Sequence, residues 1–162
     1  MSTAKPVPDG FHTLCPHIIV RDVTKAIAFY KAAFGAEQVN VHYMPDGKTV
    51  MHAQIRIGDS PILMAEENEQ WGTKSPLLLG ASPVSLHLYV KDADALFNRA
   101  VKAGATVAMP IADMFWGDRY GKVVDPFGHH WSIATHIEDL TEEQMVQGAK
   151  EMFARMAAQQ DK

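Results

Sequence analysis

The sequence predicts an α+β fold of two paired β-α-β-β-β modules followed by a C-terminal helix. Its main basis is a repeat: residues 14–36 and 84–105 each contain an apolar strand with a central histidine, an aspartate, an amphipathic helix and a Gly-Ala pair. The central histidines are His17 and His87. Such repeats indicate duplicated modules that place equivalent side chains around a shared cavity. A length of 162 residues also suits one domain in which both halves share a core.

The first module is expected over residues 12–66, after a loose N-terminal arm at residues 1–11 that contains Pro and Gly. Residues 13–20 are rich in β-branched side chains and predict the first strand. Asp22 is a suitable helix N-cap, and apolar residues then recur at helical spacing until Gly35. Three further strands are predicted, separated by turn sequences: residues 38–43, 50–57 and 62–66.

A polar linker at residues 67–83 precedes the second module, which is expected over residues 84–137. The same order of elements recurs there. Asp92 caps the predicted helix and Gly104 ends it. The predicted strands are residues 85–90, 106–109, 118–124 and 131–136. Residues 110–117 fit either a strand or a loop.

The C-terminal segment, residues 138–162, predicts a helix. Thr141 and Gln144 resemble a capping box, in which two side chains satisfy the first backbone N–H groups of a helix. An apolar stripe follows at helical spacing: Met145, Ala149, Met152, Phe153 and Met156. This stripe is expected to pack on the sheet of its own domain or, alternatively, to form a contact in a dimer.

Composition restricts the class of partner. The net charge is −4 and no run of Lys or Arg occurs, so nucleic acid and anionic membranes are not expected partners. No stretch approaches the roughly 18 apolar residues of a membrane span. A single cysteine, Cys15, excludes an internal disulfide and favours the cytoplasm. A small molecule or another protein is therefore the expected partner. Separately from composition, we expect a homodimer.

Two motifs are specific enough to indicate a family. The first is the Ala-Ile-Ala-Phe-Tyr run at 26–30 followed by Phe-Gly-Ala at 34–36. The second is Val-Asp-Pro-Phe-Gly-His at 124–129, before the last strand. With the paired order of elements, they resemble the vicinal oxygen chelate superfamily, which contains glyoxalase I, bleomycin-resistance proteins, fosfomycin-resistance thiol transferases and extradiol dioxygenases. The resemblance covers residues 14–136, and residues 115–121 are most similar to the PhnB-like branch.

The resemblance implies that paired modules, from one chain or from two, form a cup that binds a ligand. In metal-dependent members, side chains of the first and fourth strands of the modules hold a divalent ion. On this basis His17, Glu66 and His87, with His136 as an additional candidate, form a ligand set for Ni²⁺, Zn²⁺, Mn²⁺ or Fe²⁺.

Other residues do not match the metal-dependent pattern of the superfamily. Its ligand histidines lie about twenty residues before the helix-ending glycine, which corresponds here to Cys15 and Ser85. Its last-strand glutamate corresponds to Ser132, and a hydroxyl is a poor metal ligand. The leading interpretation is therefore a small-molecule-binding protein without a metal or other cofactor. The alternative is a metal-dependent lyase, isomerase or dioxygenase.

Further candidates for ligand contact lie in loops and late strands, where the resemblance places the mouth and wall of the cup. Aromatic walls bind flat or apolar molecules through stacking and buried area. Arg119 is suited to clamp a carboxylate or phosphonate, or alternatively to form a structural ion pair. The predicted ligand-binding residues are His17, Glu66, His87, Trp116, Arg119, Tyr120 and Trp131. No catalytic residue is assigned.

Overall fold

The computed structural model describes residues 4–160. The first module contains β1 (His17–Val20), α1 (Val23–Phe34), β2 (Glu37–Tyr43), β3 (Val50–Ile57) and β4 (Ser60–Glu66). A short helix, α2 (Pro76–Leu79), lies in the linker, after a 3-10 turn at Glu69–Trp71. The second module contains β5 (Ser85–Tyr89), α3 (Ala93–Ala103), β6 (Thr106–Asp113), β7 (Asp118–Val124) and β8 (His130–His136). The last helix is α4 (Glu142–Gln160).

The strands form two four-stranded sheets of the same topology. Their orders are β1-β4-β3-β2 and β5-β8-β7-β6. In each sheet the first strand runs parallel to the fourth, and the remaining neighbours are antiparallel. The α+β fold with paired β-α-β-β-β modules and a C-terminal helix is confirmed.

Equivalent caps bound the helix of each module. The Asp22 carboxylate accepts a hydrogen bond from the Lys25 N–H at 2.9 Å, and Asp92 caps α3 in the same way. Gly35 ends α1 with φ of 69°, a left-handed conformation that glycine adopts without steric cost. The repeat in the sequence therefore corresponds to a repeat in backbone structure.

Several element boundaries differ from the predicted ones. β1 begins at His17 rather than at residue 13, since residues 4–16 form no regular element. Positions 1–3 of the predicted arm, and positions 161 and 162 of the predicted last helix, lie outside the described residues. β6 continues to Asp113, so residues 110–113 are strand and Phe115 and Trp116 lie in the following turn.

The core lies between the two sheets, where α1 and α3 pack against each other. Trp131 of β8 is fully buried and contacts Phe34 of α1, with ring centroids 4.6 Å apart. The Arg99 guanidinium of α3 donates hydrogen bonds to the carbonyls of Ala32 and Lys31 at 2.6 and 2.9 Å. These carbonyls lie at the C-terminal end of α1, where a cation is favourable. The helices therefore join the modules.

The last helix begins as predicted but packs differently. The Thr141 N–H donates to the Gln144 side chain, and the Gln144 N–H donates to the Thr141 hydroxyl, so the capping box is present. Gly148 of α4 rests on Phe115 in the β6–β7 turn. Phe153 remains 61% exposed. The expected packing of the stripe on its own sheet is therefore wrong for its C-terminal half, and the dimer contact stays a prediction.

Among residues 4–160, no helix combines the length and the apolar character that a membrane crossing requires.

Candidate functional site

Each sheet has one face covered by helices and one open face. In the second sheet, Leu86, Trp131 and Ile133 point towards the helices. Because successive residues of a strand point to opposite faces, their neighbours lie on the open face. The open-face residues of β5, β7 and β8 are Ser85, His87, Tyr89, Asp118, Tyr120, Lys122, Val124, His130, Ser132, Ala134 and His136.

A hydroxyl cluster occupies the centre of this open face. The Ser132 hydroxyl lies 2.9 Å from the Tyr120 hydroxyl and 3.1 Å from the Ser85 hydroxyl. These three side chains come from β8, β7 and β5, which are neighbours in the sheet. The cluster can donate and accept hydrogen bonds at one point of the surface.

Aromatic rings lie around the hydroxyl cluster. The His87 ring stacks near Tyr120, with centroids 5.9 Å apart, and lies 4.5 Å from the Tyr89 ring. The Trp116 ring meets the edge of Tyr120 at 5.4 Å. Burial lowers the pKa of His87, although the charge of Asp118 opposes this effect. The structure therefore brings three predicted ligand-binding residues together: His87, Trp116 and Tyr120.

A buried carboxylate, Asp118, holds one end of the site. It accepts hydrogen bonds from the Tyr89 hydroxyl at 2.9 Å and from the Trp116 indole N–H at 3.0 Å. His136 lies 2.8 Å from Asp118 and 2.9 Å from Asp139. The hydrogen bonds to Asp139 and Asp118 raise the pKa of His136. Asp118 therefore positions the Tyr89 and Trp116 rings.

The open face of the first sheet carries a row of three histidines. The His52 ring lies 5.7 Å from the His17 ring and 6.4 Å from the His42 ring. Burial lowers the pKa of His52, and the neighbouring His17 and His42 add to this effect. Next to the row, the Asn40 side-chain N–H donates to Gln54 at 3.1 Å. The buried side-chain oxygen of Asn40 has no hydrogen-bond partner among the described residues.

The residues predicted as metal ligands do not converge. In β1 and β4, His17 pairs with Leu63 and Val20 pairs with Glu66. Glu66 is three residues beyond Leu63, so its side chain lies on the opposite face from His17 and about 10 Å along the strand. His87 belongs to the other sheet. Within residues 4–160, no three His, Cys, Asp or Glu side chains are arranged to hold a metal ion.

Two other predicted ligand contacts lie away from the open face. Trp131 is fully buried in the core, and its indole N–H donates to Asp125 at 2.8 Å. Arg119 points to the helix-covered side of β7, where it pairs with Asp94 at 2.8 Å and Asp113 at 3.1 Å. The alternative interpretation of Arg119 as a structural ion pair therefore fits its position.

Sequence reasoning missed most of the polar residues on the two open faces. They are His42 and His52 on the first sheet, and Ser85, Tyr89, Asp118 and Lys122 on the second. The signal was present in the alternation of the strands, since Asp118, Tyr120 and Lys122 are spaced by two residues. The alternation does not indicate which of the two faces the helices cover.

The two open faces belong to different sheets of the chain. Both sheets turn their other faces towards the shared layer of α1 and α3, where Tyr30 and Phe34 of α1 contact Trp131 of β8. Within the described residues, no ring or hydrogen-bond contact joins the His17 row to the His87 site. The two ring clusters are therefore separate, although residues of both modules, among them Pro61 and Ile62, line a cavity beside His87.

Comparison with known proteins gives the same architecture. The family model described as the Glyoxalase/Bleomycin resistance protein/Dioxygenase superfamily matches residues 11–133. An uncharacterized protein of Mycobacterium tuberculosis is 45% identical over 130 residues, which cover 78% of this chain and 76% of that protein. The match to the family model ends at residue 133, so α4 lies outside it.

Solved structures are similar over the same region. The structure of an Arabidopsis thaliana gene product has a TM-score of 0.61 and 30% identity, covering 76% of this chain and 98% of that one. A PhnB protein from Bacillus cereus has a TM-score of 0.60 at 17% identity, covering 76% and 99%. The fosfomycin resistance protein FosX from Listeria monocytogenes, complexed with Mn(II) and sulfate, has a TM-score of 0.58 at 19% identity, covering 84% and 95%. At such identities the last two show the fold alone.

Proposed function

Because this chain belongs to the glyoxalase/bleomycin resistance protein/dioxygenase superfamily, we propose that it binds a small molecule on the open face of its second sheet. The observation that carries this proposal is the arrangement of His87, Trp116 and Tyr120 around the Ser132 hydroxyl. Ligand sites typically combine aromatic surface, which supplies buried area, with a few polar groups that fix orientation. This face has both.

We propose that binding does not require a metal ion. His17 and Glu66 lie on opposite faces of one sheet, and His87 lies on the other sheet. The resemblance places a carboxylate ligand at Ser132, where this chain has a hydroxyl. The residues present therefore do not fit a divalent ion, and the alternative of a metal-dependent lyase, isomerase or dioxygenase lacks a ligand set. We assign no reaction.

We further propose that a second copy of the chain closes the cup. Within the described residues, no ring or hydrogen-bond contact joins the His17 row to the His87 site, so each is available to a second copy. In a two-fold dimer, the His17 row of one copy can cover the His87 site of its partner, and the reverse, so both sites are closed alike. A cytoplasmic location, which the single Cys15 favours, fits such a dimer.

NMR titration of EDTA-treated protein with neutral one-ring compounds tests the binding proposal. We expect benzyl alcohol, benzamide or phenol to shift backbone amide signals of β5, β7 and β8 in a saturable manner. His87→Ala and Tyr120→Phe should weaken this binding, because they remove a ring contact and a hydroxyl. Arg119→Met is the matched control, since residue 119 adjoins Tyr120 on β7 but points to the other face.

Two results would contradict the proposal. One is saturable binding that is equally strong in His87→Ala and in the control, because the ligand would then lie elsewhere. The other is the absence of any response to these compounds and to phenylphosphonate.

A further inference from the structure

Three polar residues form a row across the open face of the second sheet. His87 of β5 pairs with Ser132 of β8, and Ser132 pairs with Lys122 of β7. Ser132 and Lys122 are directly paired on antiparallel strands, where Cβ atoms are about 4.5–5.5 Å apart. His87 pairs with Ser132 across the parallel neighbour β5, so the three side chains share one face. An imidazole, a hydroxyl and an ammonium group therefore lie side by side.

Lys122 contributes a positive charge that no carboxylate neutralises. It is half-buried, and among the described residues it forms no ion pair. Its Nζ lies over the Tyr120 ring, 6.0 Å from the centroid. An aromatic face attracts a cation but leaves it without a partner of opposite charge. A bound anion would supply the missing partner.

The hydroxyl cluster contributes a hydrogen-bond donor. Ser85, Tyr120 and Ser132 carry three hydroxyl hydrogens, and the two O–O contacts between them use two of these hydrogens. One hydrogen is therefore left to donate to a ligand. Ser132 is almost fully buried, at 3% exposure, and its hydroxyl is held between those of Ser85 and Tyr120.

The carboxylate on the same face does not cancel the charge of Lys122. Asp118 lies four residues from Lys122 along β7, a distance of about 13 Å. Its oxygens already accept hydrogen bonds from Tyr89 and Trp116 and contact His136. The area around Ser132 is therefore one of donors and positive charge.

We propose that the row of His87, Ser132 and Lys122 binds an oxyanion, the carboxylate, phosphonate or phosphate group of the small molecule. This inference rests on the proposed function, because it names the class of ligand for the same face. Lys122 pairs with the anion, the hydroxyl cluster donates to it, and His87 donates a ring N–H. The rings of Tyr120 and Trp116 contact the remainder of the ligand.

A matched pair of compounds tests the inference. Phenylphosphonate and benzyl alcohol share a phenyl ring but differ in charge, and each is titrated into the EDTA-treated protein at pH 7 and followed by NMR. We expect phenylphosphonate to bind at least about tenfold more tightly, because charge-assisted hydrogen bonds are the stronger ones. The amide signals of residues 87, 122 and 132 should shift most.

Charge variants assign the effect to Lys122. Lys122→Met should weaken phenylphosphonate binding at least about tenfold and leave benzyl alcohol binding unchanged, while Lys122→Arg retains most of the affinity. Lys102→Met is the control, since Lys102 is exposed on α3, away from the open face.

Equal affinity for the two compounds would overturn the oxyanion inference and leave the proposed function standing. Equal loss of phenylphosphonate binding in Lys122→Met and Lys102→Met would also overturn it, because the anion would then respond to overall charge. If neither compound bound, the oxyanion inference would fail. If benzamide and phenol also gave no response, the proposed function would be rejected as well.

Discussion

The Tyr30 hydroxyl of α1 donates a hydrogen bond of 2.7 Å to the Asp125 carboxylate, which joins the first module to the second inside the core. Asp125 also accepts from the Trp131 indole at 2.8 Å and from the backbone N–H groups of Phe127 and His129. A buried carboxylate is stable only when its oxygens are satisfied. The join between the modules therefore depends on this network.

Tyr30→Phe should lower the free energy of unfolding by about 1.5–3 kcal/mol at pH 7, since it removes a hydrogen bond to a buried charged group. Urea unfolding followed by tryptophan fluorescence measures this loss. Tyr43→Phe is the control, because Tyr43 is 53% exposed on β2 and should change stability little. Equal effects of the two substitutions would contradict the role of the network.

The same tyrosine should make the protein sensitive to alkali. Burial raises the pKa of Tyr30 well above its usual value, and the nearby Asp125 charge adds to this effect. In the unfolded chain the phenol ionises near pH 10, so stability from this group is present below that pH and is lost as pH rises above it. Between pH 9 and 11, the free energy of unfolding should fall more steeply with pH in the natural protein than in Tyr30→Phe.

The histidines should titrate in a defined order. The hydrogen bonds that His136 donates to Asp139 and Asp118 raise its pKa, whereas burial lowers the pKa values of His52 and His87. His136 therefore contributes stability below about pH 6.5 that is lost as pH rises through its folded pKa. His52 and His87 have the opposite effect on stability, because their pKa values are lowered in the folded protein and protonating them as pH falls destabilises it.

NMR titration of the imidazole signals measures this order directly. We expect the pKa of His136 to lie above about 6.5, the ordinary value, and those of His52 and His87 to lie below it. Asp139→Asn should lower the pKa of His136, since Asp139 provides the largest effect. A titration of His136 at or below that of His87 would show that the hydrogen bonds do not persist in solution.

Metal content should not depend on the predicted ligand set. Since His17 and Glu66 lie on opposite faces, we expect less than one equivalent of Ni²⁺, Zn²⁺, Mn²⁺ or Fe²⁺ per chain after dialysis against each ion. Elemental analysis of the natural protein, His17→Ala and Glu66→Ala provides the measurement. One equivalent that disappears in both variants would show that these side chains share an ion.

Local signals predicted the fold well, whereas the site depended on long-range packing. The caps at Asp22 and Asp92 and the helix ends at Gly35 and Gly104 involve neighbours in sequence. One of the two partners of Arg119, however, is Asp94, 25 residues earlier on another element. Such a pairing follows from the position of α3 on the sheet, which no local pattern contains.

The position of Trp131 also could not be predicted from local sequence patterns. Its large aromatic ring suits either a ligand site or a core, and alternation alone places it with Ile133 without saying what covers that face. The cover comes from α1, about one hundred residues earlier, through Tyr30 and Phe34. By contrast, the histidine repeat correctly indicated duplicated strands, and His87 lies on the open face as part of the ring cluster.

The turn glycines of the two modules should respond differently to substitution. Gly47 lies in the β2–β3 turn and Gly117 in the equivalent β6–β7 turn, and both have positive φ, of 68° and 91°. A Cβ at position 47 meets nothing within 4 Å, whereas a Cβ at position 117 overlaps the backbone oxygen of Glu138. Gly117 also accepts hydrogen bonds from the N–H groups of Ile137 and Glu138. The second turn is therefore fixed to the segment that leads into α4.

Gly47→Ala should lower the free energy of unfolding by about 1 kcal/mol, the usual penalty for an alanine in the left-handed conformation. Gly117→Ala should lower it by about 3 kcal/mol or more, because steric overlap with the backbone adds to the same penalty. Urea unfolding of both variants measures the difference. Since Trp116 precedes Gly117 and donates to Asp118, Gly117→Ala should also weaken ligand binding to the open face. Equal costs at the two positions would mean that the chain after β8 does not pack against this turn in solution.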